Sequence, residues 1–150
     1  MYIVDEKIYQ IGWRFNSSDC QLSDEEKRQI CFLNRIESKT LWSCYFSINN
    51  LMELTEDTFV MKEKRELDFL DEKSGYDFFQ EQLKETDVLF LFWSKTAAVI
   101  VKKHIFLKSW SDFFYPSDEN SIIVIPNNSF SIFSFGDKFF SGTMKYYLSK

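Results

Sequence analysis

The chain is poor in the residues that break, clip or ligate. Its 150 residues include 4 Gly, 2 Pro, 3 Cys and a single histidine, His104. So few breakers argue against a linker, a low-complexity segment or disorder. Three cysteines (Cys20, Cys31, Cys44) are an odd number with no CxxC pair, so reduced thiols are expected rather than a disulfide framework. One histidine, with no cysteine at ligand spacing, completes no zinc or iron pattern; no metal and no cofactor are expected. Gly12, Gly75, Gly136 and Gly142 are scattered and form neither GxGxxG nor GxxxxGK, the loops that cradle phosphate. No serine sits in a glycine-flanked nucleophile elbow, and no spacing among the 23 acids singles out an acid/base pair. No apolar run approaches the roughly 18 residues that span a bilayer. Met1 to Glu6 lacks the basic start and apolar core of a signal peptide. These absences lead to the expectation of a cytoplasmic protein that is not an enzyme and has no membrane partner.

What the chain has in abundance is aromatic: 19% of its residues, 17 of them Phe. Many large rings and few breakers predict one globular domain over 1–150 with an interdigitated core. Any ring left at the surface is a candidate contact. Charge is uneven. Residues 1–90 hold 19 acids and 11 bases, net −8, whereas residues 91–150 are net +3, for a total of −5. An acidic field disfavours nucleic acid and favours a basic protein partner. The Lys102-Lys103…Lys108 group has Phe106 and Trp110 interleaved, but those rings are at core spacing and the lysines read as solvated flanks. Trp93, Trp110 and Phe113-Phe114-Tyr115 could line a ligand pocket, yet rings at i, i+4, i+7 are more often core.

The pattern organises itself around residues 87–126. Val88 to Trp93, Ala97 to Val101 and Ile122 to Ile125 are apolar runs bounded by polar turns, the mark of strands buried on both faces. The first two make a hairpin around Ser94-Lys95-Thr96. A helix is expected from about Lys103 to Phe114, ended by Pro116, then a turn at Pro116-Ser117-Asp118-Glu119. Earlier, residues 7–15 alternate as a strand, with Tyr9, Ile11, Trp13 and Phe15 on one side. Ser23 and Glu26 read as a capping box opening a helix that runs to about Ser38. Leu41 to Phe46 fit a second, short helix, broken at Asn49-Asn50. Residues 58–62 suit a strand, and the charge-dense stretch Glu63 to Ser74 a surface excursion. Ser74 is expected to cap a helix from Gly75 to about Glu85. Phe130 to Phe135 reads as a strand with a bulge at Ile132/Phe133, Gly136-Asp137 as a turn, and the tail as one more short element. The expected fold is α+β: a mainly antiparallel sheet of about five strands with three or four helices largely on one face.

The string Phe92-Trp93-Ser94…Trp110-Ser111-Asp112-Phe113-Phe114-Tyr115-Pro116-Ser117-Asp118 resembles a family of small, uncharacterised bacterial domains, with an echo at Trp13-Arg14-Phe15 and Leu41-Trp42. In size, charge and aromatic habit the chain is similar to the immunity proteins of contact-dependent growth-inhibition and polymorphic-toxin systems. That likeness implies a non-enzymatic inhibitor whose acidic surface covers a basic, nuclease-type toxin domain; it brings no catalytic residues with it. The contact is expected at the capping acids Asp24, Glu25 and Glu26, at Glu63, Glu66, Asp68, Asp71 and Glu72, and at the turn acids Asp118 and Glu119. The alternatives are a small regulatory or assembly protein binding an endogenous partner through an aromatic patch, and an enzyme without a recognisable motif.

Overall fold

The computed structural model describes residues 1–115 and 119–145. Its centre is one antiparallel sheet of seven strands: β1 (Cys31–Leu33), β2 (Phe59–Glu66), β3 (Val88–Ser94), β4 (Ala97–Lys102), β5 (Asn120–Val124), β6 (Phe130–Phe135) and β7 (Lys138–Met144). Their order across the sheet is β1-β4-β3-β5-β6-β7-β2. The described residues also form five α-helices: α1 (Trp13–Asn16), α2 (Asp24–Arg28), α3 (Arg35–Tyr45), α4 (Glu72–Gln82) and α5 (Lys103–Lys108). Two 3-10 turns, Leu51–Glu53 and Trp110–Phe113, join them.

The sheet forms where apolar runs are unbroken. In β3 and β4 alternate residues supply two cores at once. Leu89, Leu91, Val99 and Val101 face one side, with Ile123, Ile132 and Phe139 from neighbouring strands. Phe92 and Ala98 face the other, with Ile122 and Val124. The first side is closed by α4, α5 and the Trp110–Phe113 turn, through Phe79, Phe106, Trp110, Phe113 and Phe114. Phe79 is fully buried and meets Phe106, Phe114 and Phe139 at 5.0, 5.8 and 5.4 Å between ring centroids. The second side is closed by α3, whose Trp42 meets Phe92 edge-on at 5.5 Å, and by Leu51. Helices therefore lie on both faces, because the central strands are apolar on both and each face must be kept from water.

Several expectations are corrected. Residues 7–15 are turns leading into α1, not a strand: Ile11 and Phe15, four apart, are buried while Trp13 is exposed, so the period is helical. The Ser23/Glu26 capping box is present, but α2 ends at Arg28. Phe32 then enters edge strand β1 opposite Val99, and a second capping box, Asn34 with Glu37, opens α3. The charged stretch Glu63–Glu66 is strand, paired along β7 from Ser141 to Lys138. An edge strand tolerates such charge because it has a neighbour on one side only. Helix α4 begins three residues before Gly75, capped by Asp71, whose carboxylate accepts from the Ser74 amide. The 103–114 helix is interrupted at Ser109. Strand β6 keeps register with both neighbours and has no bulge at Ile132/Phe133: Ile132 joins the first core and Phe133 packs against the second. The Gly136-Asp137 turn is as expected, with Gly136 at φ 61°. The expected turn residues Pro116, Ser117 and Asp118 lie outside the described residues.

Candidate functional site

Two surface features stand out, each built by elements distant in sequence. The first is an open groove where the end of β2 and the loop to α4 meet the β6–β7 turn. It is lined by Glu66, Leu67, Asp68, Phe69, Leu70 and Asp137. Register brings these together, since Glu66 lies opposite Lys138, and the Leu67 amide then donates to the Asp137 carbonyl at 2.9 Å. Leu67 is buried and anchors the loop, while Leu70 is 93% exposed at the rim. Asp68 holds its own turn by accepting from the Leu70 amide at 2.9 Å. Among the described residues three carboxylates and no cation line the groove, so it presents negative charge beside apolar surface.

The second feature is an exposed pair of rings on a partly buried ionic clamp. Trp13 and Tyr115 stand at 76° to one another with centroids 5.9 Å apart, both about half exposed. Behind them the Arg14 guanidinium forks onto both carboxylate oxygens of Glu119 and donates to the Phe113 carbonyl at 3.0 Å. Glu119 also accepts from the Tyr115 amide, and the Phe113 carbonyl also accepts from Trp93 Nε1 at 2.7 Å. The guanidinium carbon lies 5.2 Å from the Trp13 ring centroid and 5.3 Å from that of Trp93. Burial pulls the Arg14 pKa down to about 10, which leaves it cationic at neutral pH. The clamp joins the Trp13-Arg14-Phe15 echo to the Trp110 to Tyr115 stretch.

The described acids expected to meet a partner separate into four environments. Asp24, Glu25 and Glu26 form the first turn of α2. Glu26 pairs with Lys108 at 2.6 Å, a contact that holds its carboxyl below the usual range. Glu25 lies 3.8 Å from Arg28 and Asp24 3.9 Å from the amino terminus. Glu63 pairs with Arg65 and accepts from Gln82; Glu72 accepts from Ser111 and Gln21; Asp71 caps α4. Glu66 and Asp68 alone among them line the groove. Glu119 is corrected: it is not an exposed turn acid but the half-buried partner of the buried Arg14. Asp118 lies outside the described residues. Sequence reasoning missed Asp137 and Leu70 as groove residues; the Gly136-Asp137 turn was visible, but not the strand that lies beside it. The rings considered for a ligand pocket, Trp93, Trp110, Phe113 and Phe114, are core, and only Tyr115 is exposed.

Among the described residues no group of three or more His, Cys, Asp or Glu could hold a metal ion, and no helix is long and apolar enough to cross a membrane. The geometry defines an α+β protein built on a single antiparallel sheet, with helices on both of its faces. The chain belongs to the DUF2947 family, described as a protein of unknown function, whose model matches residues 2–140. No curated protein and no solved structure matches it.

Proposed function

We propose that this protein acts by binding rather than catalysis, and that it engages a basic protein partner at the groove of Glu66, Asp68 and Asp137. The observation that carries the reading is that groove: three carboxylates, no cation among the described residues of its lining, and Leu70 93% exposed at the rim. A basic side chain entering it gains charge complementarity, which mainly accelerates encounter, and the exposed leucine adds apolar contact. The acidic N-terminal portion of the chain extends the same field. In its most specific form the proposal is an immunity function, in which the partner is a basic, nuclease-type toxin domain whose substrate surface is covered. Acids already matched by cations, such as Glu26 with Lys108, contribute less to such a contact than Glu66 and Asp68.

A second reading, a regulatory or assembly protein, is favoured by the Trp13–Tyr115 pair. Half-exposed rings on a rigid support are the composition of an interaction hot spot. The two readings separate by salt. In a pull-down with the tagged protein from its native cell lysate, a stoichiometric basic partner released as salt rises supports the groove. A partner retained irrespective of salt and lost on Trp13→Ala supports the ring pair instead.

A further inference from the structure

Strand β2 ends the sheet: β7 is its one strand neighbour among the described residues, and its other edge pairs with no strand. From Glu63 to Glu66 it keeps regular register with β7, and the shift between Met61 and Glu63 ends that segment. Backbone groups of successive residues in an antiparallel strand point to opposite neighbours. The Leu67 amide donates to the Asp137 carbonyl, on the β7 side, so Lys64 and Glu66 turn their amides and carbonyls to the open edge. Lys62, Lys64, Arg65 and Glu66 are exposed, and Glu63 is half-buried. The chain beyond Lys145 starts beside Thr58, whose carbonyl accepts from the Lys145 amide. Five residues span at most about 18 Å, short of Lys64, which lies about 20 Å further along the strand.

An unpaired edge templates another strand unless its side chains forbid it, and charge of one sign does so. Here both signs are present, in the order Lys62, Glu63, Lys64, Arg65, Glu66, and that order complements its own reverse. Set antiparallel to itself about a two-fold axis through Lys64, the strand places Glu63 opposite Arg65 of the other copy and Lys62 opposite Glu66 of the other copy, each pair twice. Opposite charges directly across two strands stabilise their pairing, and like charges oppose it. Moving the axis one residue either way sets Glu63 against Glu63 or Arg65 against Arg65, so charge selects a single register. The backbone agrees with it, since Lys64 turns both its amide and its carbonyl outward and the two copies can exchange both bonds there. The one like pair in this register is Lys64 with itself, and Lys64 leans back over its own sheet, its Nζ 5.8 Å from the Phe140 ring centroid on β7.

We propose that the chain forms a two-fold homodimer by antiparallel pairing of β2 with β2 of a second copy about Lys64, with reciprocal Glu63–Arg65 pairs beside the axis, so that the two sheets run on as one. A self-complementary edge is what an isologous contact requires, and a foreign strand of one charge would be opposed along it. Of these residues only Glu66 also lines the acidic groove, and the inference does not rest on the function proposed above. An edge contact of this length is small, which sets the dimer at the weak end, with a dissociation constant on the order of micromolar or above.

Sedimentation velocity on the purified full chain from about 1 μM to 1 mM tests this. A concentration-dependent monomer–dimer equilibrium is expected. Glu63→Arg and Arg65→Glu should each weaken it about fivefold or more, because each sets like charges opposite one another twice. The double variant Glu63→Arg/Arg65→Glu should return to near the original affinity. Lys64→Pro removes an amide that faces the open edge rather than β7, the position at which an edge strand accepts proline. It should leave the circular dichroism spectrum unchanged and abolish association in this range. A monomer at every concentration overturns the proposal, as does a dimer indifferent to the single reversals or to a folded Lys64→Pro variant, or a double variant that is not rescued.

Discussion

The buried Arg14 and the half-buried Glu119, 105 residues apart, form an ion pair that ties the short first helix to the approach to strand β5. A buried ion pair adds little net stability, because desolvation offsets the attraction; removing one partner leaves an uncompensated charge. Glu119→Gln or Arg14→Met should therefore destabilise the protein by about 3–5 kcal/mol, whereas the two changes together should cost less than their sum. Denaturant unfolding of the singles and the double measures the coupling. Additive losses would mean that the pair does not act as a unit.

Gly75 is fixed by packing. A Cβ there would lie 2.0 Å from the Trp110 indole, which is itself held by its Nε1 donating to the Glu72 carbonyl at 2.9 Å. Alanine gains about 1 kcal/mol of helix propensity over glycine. Overpacking against a fully buried indole costs about 1–3 kcal/mol or more. Gly75→Ala is expected to be net destabilising, seen as a lowered Tm; a raised Tm would show that Trp110 can move aside.

Phe79 touches rings from α5, from the segment after Trp110 and from β7, and it is fully buried. Phe79→Ala should cost about 3–5 kcal/mol, by loss of transfer energy and the cavity left behind. The exposed Tyr76 on the same helix is the control: Tyr76→Ala should change stability within about 0.5 kcal/mol.

Asp112 and Cys20 titrate oddly for the same reason. Burial raises both; Asp112 accepts from the Gln21 amide at 2.9 Å but also lies near the Glu72 charge. With the folded-state value of Asp112 above the unfolded one, the folded chain holds more protons just above the ordinary carboxylate range. Stability from this group therefore falls as pH rises through that window. Asp112→Asn, which keeps an acceptor for Gln21, should raise Tm at neutral pH, and the gain should vanish in acid. Thiol alkylation under native conditions should label exposed Cys31 and Cys44 before Cys20.

The parts of the fold legible from the sequence were those whose burial is local and complete. The 88–101 hairpin could be read because both faces of β3 and β4 are apolar, and the Ser23/Glu26 box because a cap is a four-residue signal. Residues 7–15 misled because Tyr9, Ile11, Trp13 and Phe15 fit period two, yet only Ile11 and Phe15 face the core. Strand β1 and the charged second half of β2 were hidden because edge strands are short or charged, and their partners, β4 and β7, lie far along the chain; only the start of β2, within the expected strand 58–62, could be read. The groove was half legible for the same reason. Glu66 and Asp68 belong to one acidic stretch, but Asp137 joins them only through the pairing of β2 with β7, which no local pattern encodes. Likewise nothing near Glu119 foretold that Arg14 would pair with it.

The most direct measurement compares the protein with its Glu66→Lys/Asp68→Lys/Asp137→Lys variant in capture of partners from the native lysate, at low and moderate salt. The account predicts that the original protein retains a stoichiometric basic partner at low salt and releases it as salt rises, and that the variant, equally folded by circular dichroism, retains none. Capture of the same partner by both proteins, or no partner for either, would contradict it.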